Sequence, residues 1–289
     1  LNTYLDCIPC FLRQALEAAR AATDDQDIHR RVLNSVAEMI PQLPLDVTPP
    51  EIAQRIYRLT YQIIGNNDPY REAKHLANQK MLALYPELKQ AVANSADPLL
   101  TACKLAIAGN SIDLATGSSS DDIDSIVRSA PTMPLATSDY PEFRRSIERS
   151  SHVLYLGDNA GEIVFDRILI EELHRERCLE ISFVVRERPI INDVTRLDAI
   201  FVGLDRVASI VSSGSDAPAT ILSQCSPQIL RLYHWADTII AKGQGNYESL
   251  SGEQSNIFFF LKAKCPVVAR LLGVNIGDAI LKGIAGHRD

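Results

Sequence analysis

The second half of the chain carries five short apolar runs, at 153–156, 181–185, 206–211, 238–241 and 257–261, and stretches of helical periodicity separate them. Runs this short and rich in β-branched or aromatic residues read as strands. Strand alternating with helix predicts a mainly parallel sheet covered on both faces, because parallel neighbours need a crossover and the crossover helices pack on the sheet. The intervening helices are expected over 161–175, 192–201, 217–224, 227–235 and 267–272. Right-handed crossovers then bring the carboxyl ends of all five strands to one rim, where open α/β sheets bind their ligands.

The first half has a different texture. Its apolar residues recur at helical spacing, predicting helices over 10–22, 27–40, 50–64, 70–83, 86–94 and 98–107, with prolines at 41, 44, 49, 50, 69, 86 and 98 as punctuation. None sustains a heptad pattern, so a compact bundle is expected. Gly117 with Ser118, Ser119 and Ser120, then Pro131, Pro134 and Pro141, mark a change of composition. The expected fold is therefore α/β: an all-helical domain over 1–115, linker and helices over 116–150, and a three-layer α/β/α domain with a Rossmann-like sheet over 151–289.

A net charge of -7 and a pI near 5.4 argue against general nucleic-acid binding, which needs a basic face. No apolar run approaches the ~20 residues of a membrane span, and a signal-peptide layout is missing, so a cytoplasmic location is expected by default. Six cysteines spread over 289 residues do not form a disulfide framework and are expected to be reduced.

Polar residues gather where the strands end. After the first strand, Val153-Leu154-Tyr155-Leu156, come Gly157-Asp158-Asn159-Ala160-Gly161-Glu162; after the second, Arg186-Glu187-Arg188 and then Asn192-Asp193; after the third, 212–216 with three serines. The fourth is followed by Lys242-Gly243-Gln244-Gly245-Asn246-Tyr247-Glu248 and the fifth by Lys262 and Lys264. Asp158, Asn159 and Asp193 are hard oxygen donors suited to Mg or Mn, whereas no histidine cluster points to catalytic zinc. A divalent ion beside Lys242, Lys264 and the N–H groups of 243–245 suits a phosphate, so phosphoryl chemistry is expected. An isolated Asp-Asn pair after a strand is commonly only a turn or helix cap; the second acid and the Gly-Gln-Gly-Asn stretch make the functional reading the better one. His152 stands at a strand's start, the wrong end for catalysis, and the 212–215 serines read as plain loop.

Taken together, the stretch 157–162, Asn192-Asp193, the stretch 242–248 and Lys262-Ala263-Lys264-Cys265-Pro266 resemble the damage-control phosphatase family, or domain of unknown function 89. The likeness extends to Gly65-Asn66-Asn67-Asp68-Pro69-Tyr70 and to Ala108-Gly109-Asn110-Ser111 in the helical half. It implies metal-dependent hydrolysis of phosphate monoesters, sugar phosphates or damaged phosphometabolites, with Mn, Mg, Co or Ni. Carried over, the metal ligands are Asp158, Asn159 and Asp193, the catalytic residues Asp158, Asp193 and Lys264, and the phosphate-binding loop 243–247. Asn110, Glu162, Lys242, Gly243, Gln244, Gly245, Asn246, Tyr247 and Lys262 are the expected substrate contacts. The helical half is expected to cap the rim, with Asn110 and Asp68 over the substrate. Gly-Gln-Gly-Asn-Tyr-Glu departs from the eukaryotic members' Asp-Leu-Asn-Tyr-Arg, so fructose-phosphate specificity does not carry over. The chain is similar to the shorter archaeal and bacterial branch, which also carries Cys7-Ile8-Pro9-Cys10. That pair admits packing, auxiliary contact or redox roles. Rival readings are an S-adenosylmethionine-dependent carboxyl methyltransferase and a non-catalytic phosphometabolite-binding protein.

Overall fold

The structure, a computed structural model, describes residues 1–109 and 132–284. Five helices come first: α1 (Cys7–Ala22), α2 (Gln26–Met39), α3 (Pro49–Ile64), α4 (Arg71–Ala93) and α5 (Pro98–Gly109). A two-residue strand β1 (Thr137–Ser138) and α6 (Tyr140–Arg149) lead into the alternating half. That half runs β2 (His152–Leu156), α7 (Ile163–Glu176), β3 (Glu180–Val185), α8 (Arg196–Phe201), β4 (Ser209–Ser212), α9 (Pro227–Trp235), β5 (Thr238–Lys242), α10 (Gly243–Leu250), β6 (Ile257–Lys262), α11 (Pro266–Leu272) and β7 (Ala279–Ile284). Local chemistry sets several of these boundaries. Thr48 and Glu51 form a capping box at the start of α3, Pro49 occupies its first position, and Gly65 at φ +67 ends it.

The seven strands are ordered β1-β7-β6-β5-β2-β3-β4. From β6 to β4 every neighbour is parallel, while β7 lies antiparallel on β6 and β1 pairs with β7. The five expected strands are all present, and their carboxyl ends share one rim. Their two faces have separate cores by simple alternation. Val153, Tyr155, Phe183, Ile240, Phe258 and Phe260 face α5, α6 and α7, while Leu154, Leu156, Val184, Ile239, Phe259 and Leu261 face α9, α10 and α11. Phe11, Ala15, Val32, Val36, Ile52 and Ile56 form a third core within α1, α2 and α3.

Four expectations change in detail. The helices expected over 70–83 and 86–94 are one, because Pro86 lies on the exposed side of α4, where water can satisfy the carbonyl it frees. The stretch 217–224 contains only one 3-10 turn, Leu222–Gln224, since its N–H groups bond to side chains: Ala217 to Ser215 Oγ and Thr220 to Asn246 Oδ1. The helix expected from 192 starts at Arg196, because 192–194 pair with 158–160 instead. β1 and β7 were not expected at all. Among the described residues no helix is long and apolar enough to cross a membrane.

Candidate active site

Backbone pairing assembles the site. Gly157 N–H bonds to Val184 O at 3.1 Å, Val194 N–H to Asp158 O at 2.8 Å and Ala160 N–H to Asn192 O at 2.8 Å, which sets Asn159 opposite Asp193 in a bridge beyond the ends of β2 and β3. Two loops 34 residues apart in sequence, by the difference between 159 and 193, thereby behave as one short ribbon. Gly157 is required there, because a Cβ on it would lie 2.7 Å from the Phe183 ring. Ile191 takes φ +47, a strained value for a β-branched residue, and donates its N–H to Tyr61 Oη at 2.9 Å.

The acids are buried, Asp158 at 8% exposure and Asp193 at 3%. Burial first, then Glu162 and Asp193, push the Asp158 carboxyl up to about 7 against the pull of Lys264 and Arg186. Asp193 is also raised by burial, although Arg186 Nε donates to its Oδ2 at 2.8 Å. Asn159 Nδ2 donates to Asp158 Oδ2 at 2.9 Å and to Glu162 Oε2 at 3.3 Å. Among the described residues no three His, Cys, Asp or Glu side chains converge to hold a metal ion. The donor set available is therefore two carboxylates and one amide oxygen. Acids crowded against their own repulsion suit a divalent cation, whose remaining positions fall to water and substrate.

The stretch 243–247, expected as a loop, is the first turn of α10, which starts directly from β5 at Gly243. Gly243 has φ +79, and a Cβ there would fall 1.9 Å from Asp158 Oδ2, so the helix begins against the acid itself. Gln244 Oε1 accepts the Lys264 N–H at 2.8 Å and ties this turn to the end of β6. Asn246 is fully buried and spent on backbone, accepting from Thr220 N–H at 2.8 Å and donating to Lys242 O at 2.7 Å; Tyr247 packs edge-on to Phe259. Gly245 sits against Pro218 O. Lys262 ends β6, and burial, then Lys264, lower its pKa. Lys242, expected beside the phosphate, instead lies beneath α7, its Nζ 2.5 Å from Glu162 Oε1 and 2.6 Å from Asp166 Oδ1. Asn110 lies outside the described residues; Gly109 before it packs so closely that a Cβ would meet Phe165 at 2.8 Å and Glu162 Cγ at 3.4 Å.

The helical half supplies residues that sequence reasoning missed. On α3, Gln54 Nε2 and Arg58 Nε reach Asp216 at 2.7 and 2.9 Å. On α4, buried Lys74 pairs with Asp198 at 3.4 Å, while Asn78 Oδ1 accepts the Gly161 N–H at 2.6 Å. Both pairs have i,i+4 spacing and could have been read as one polar face of each helix. Cys7 and Cys10 occupy the first turn of α1, with Arg13 Nη2 3.6 Å from Cys10 Sγ. His152 lies at the opposite rim, its ring packed at a tilt against Trp235.

An open, mainly parallel α/β sheet with buried acids beside an amide and a helix N-terminus at its carboxyl rim, and with α3 and α4 bonded to the rim loops, defines a class of small-molecule-binding α/β folds. The chain belongs to a specific family within it, since the damage-control phosphatase ARMT1-like domain matches residues 3–280. It is 35% identical to the damage-control phosphatase PH1575 of Pyrococcus horikoshii over 97% of each chain. It is also 35% identical to a damage-control phosphatase of Archaeoglobus fulgidus, covering 96% of this chain and 97% of that one. The solved structure of the Pyrococcus horikoshii duf89 family protein superposes with a TM-score of 0.92 at 32% identity, covering 98% of this chain and 99% of the other.

Proposed function

We propose that this protein is a metal-dependent phosphatase acting on phosphate monoesters of small metabolites. The observation that carries the reading is the ribbon joining 158–160 to 192–194, which sets two buried acids and an amide against the first turn of α10. The names of the relatives in Pyrococcus and Archaeoglobus support it.

In this reading Asp158, Asn159 and Asp193 hold one divalent cation, of the Mn, Mg, Co or Ni type, which when bound supplies charge neutralisation at the phosphate and lowers the pKa of an attacking water. Arg186 orients the Asp193 carboxylate through its 2.8 Å bond. The backbone N–H groups at the start of α10 and the Lys264 ammonium share the phosphate's charge, which grows on its oxygens as the ester bond breaks. Lys74 and Asn78 hold the cap over the 157–162 turn and keep water away from it.

Release of phosphate from p-nitrophenyl phosphate, measured with each metal in turn, tests the reading. Activity is expected only with metal and to vanish in Asp158→Ala. Metal-independent release, or an Asp158→Ala enzyme as active as the parent, would sink it. Phosphorylated sugars and cofactors assayed under the same conditions then rank the substrates.

A further inference from the structure

We infer that Lys242 is a positioning residue: through Glu162 it fixes the rotation of the Asn159 amide, so that the amide presents its oxygen, and never its nitrogen, to the ligand side. The inference rests on the metal-phosphatase reading and adds to it how the neutral ligand is oriented.

The argument starts from hydrogen-bond chemistry. One end of the Asn159 amide stands 2.9 Å from Asp158 Oδ2 and 3.3 Å from Glu162 Oε2. Both neighbours are carboxylate oxygens, and only the NH2 end of an amide has two hydrogens to give them. Rotating the amide by half a turn would set its oxygen against two acceptors. Oδ1 must therefore face the other way.

Glu162 can do this only if its carboxyl is held still in a 2% exposed position. Lys242 Nζ holds its other oxygen, Oε1, at 2.5 Å. Lys242 is in turn fixed by Asp166 Oδ1 at 2.6 Å, an atom that also accepts the Tyr155 hydroxyl at 2.7 Å. The ammonium, both acids and the phenol are buried, which makes each bond strong and each loss costly. A chain of contacts thus runs Tyr155, Asp166, Lys242, Glu162, Asn159. Strand alternation explains why Lys242 joins it: Ile240 and Lys242 point to the same face of β5, and Glu162 and Asp166 lie four residues apart on the turn of α7 that covers that face.

Glu162→Gln is the informative variant because it keeps shape and volume. A glutamine has one acceptor oxygen, whereas Lys242 and Asn159 each require one on different atoms. Lys242→Met removes the anchor itself, and Lys242→Arg, which restores a charged donor, is the rescue. Mn2+ binding is measured by titration calorimetry alongside kcat and KM for p-nitrophenyl phosphate at saturating Mn2+, with circular dichroism confirming the fold. Glu162→Gln is expected to weaken Mn2+ binding by about tenfold to a hundredfold, the range for ligand-orienting groups, with KM unchanged once metal is saturating. Lys242→Met is expected to follow it, and Lys242→Arg to recover part of the affinity. A raised KM with Mn2+ affinity unchanged in Glu162→Gln would overturn the inference and return these side chains to the substrate. A parent protein that binds no Mn2+ would overturn both this inference and the metal reading beneath it. Normal Mn2+ binding by the parent and Glu162→Gln alike would overturn this inference alone.

Discussion

At Gly243 two independent constraints meet in one residue. Its φ of +79 costs a side-chain-bearing residue about 1–2 kcal/mol, and any Cβ would collide with Asp158 Oδ2. Gly243→Ala must therefore displace either the first turn of α10 or the acid. A displacement near 1 Å at a reacting centre costs about a hundredfold in rate. Gly243→Ala is expected to lose at least that much kcat while melting only a few degrees lower by calorimetry; a variant of parental activity would show that Asp158 has no fixed place. Glu248, on the same helix, behaves differently. Burial pushes its carboxyl up to about 7, against the Gln244 hydrogen bond. The native state thus keeps a proton that the unfolded chain releases above ~4.3, and stability falls as pH rises through that interval to about 7. Glu248→Gln is expected to be more stable than the parent by about 1–2 kcal/mol at pH 8 and equal to it near pH 4, read from urea unfolding at each pH.

Among the elements, α3 decides whether the cap is seated. Its contact with the rim rests on Asp216, which accepts from Gln54 at 2.7 Å and from Arg58 at 2.9 Å, and whose carboxyl those bonds hold below the usual range despite burial. Gln54 is 3% exposed, whereas the Arg58 side chain is 58% exposed. Removing the acceptor leaves a buried donor short of a partner, at about 1–3 kcal/mol, while removing the exposed cation costs about 0–1 kcal/mol. Asp216→Ala is thus expected to destabilise clearly more than Arg58→Ala in chemical unfolding; equal losses would show that the ion pair, and not Gln54, seats the helix. The elements also show what was legible in the sequence. β2, β3, β5 and β6 declare themselves because both faces are buried and each run is almost wholly apolar, whereas the edge strand β4, buried only at Val211, is Ser209–Ser212 and not the expected 206–211, where Leu204–Arg206 form a 3-10 turn. β7 did not, since Ala279-Ile280-Leu281-Lys282-Gly283-Ile284 carries a lysine and a glycine and its pairing partner β6 ends 17 residues earlier, by the difference between 279 and 262. Asp158, Asn159 and Asp193 were legible as polar residues at strand ends. The burial of Lys242 is not legible, because a lysine that ends a strand reads as a rim residue until the face of the sheet it belongs to is known. Lys74 and Asn78 were missed for another reason: their roles depend on how α4 packs, which is long-range information.

For the molecule as a whole, the helical half contains two kinds of helix. α1, α2 and α3 have a core of their own, which reaches the sheet half at Ile190. α4 and α5 do not. Met81, Leu88, Val92, Leu99, Leu105 and Ile107 belong to the same buried cluster as Tyr155, Phe165, Phe183 and Phe260, so these helices form part of the layer on one face of the sheet. At about 1.5–3 kcal/mol per buried large side chain, taking α4 and α5 away removes roughly 10 kcal/mol or more, comparable with the entire stability of a domain. A chain starting at 132 is accordingly expected to show no cooperative melt and to bind hydrophobic dye. A chain starting at 66 loses only the self-contained cap; it is expected to melt cooperatively but without activity, because the 189–193 segment loses its Tyr61 anchor and Asp216 loses Gln54. Cooperative folding of the shorter chain would place the boundary after α5. Loss of cooperativity in both would mean instead that the cap and the sheet stand or fall together.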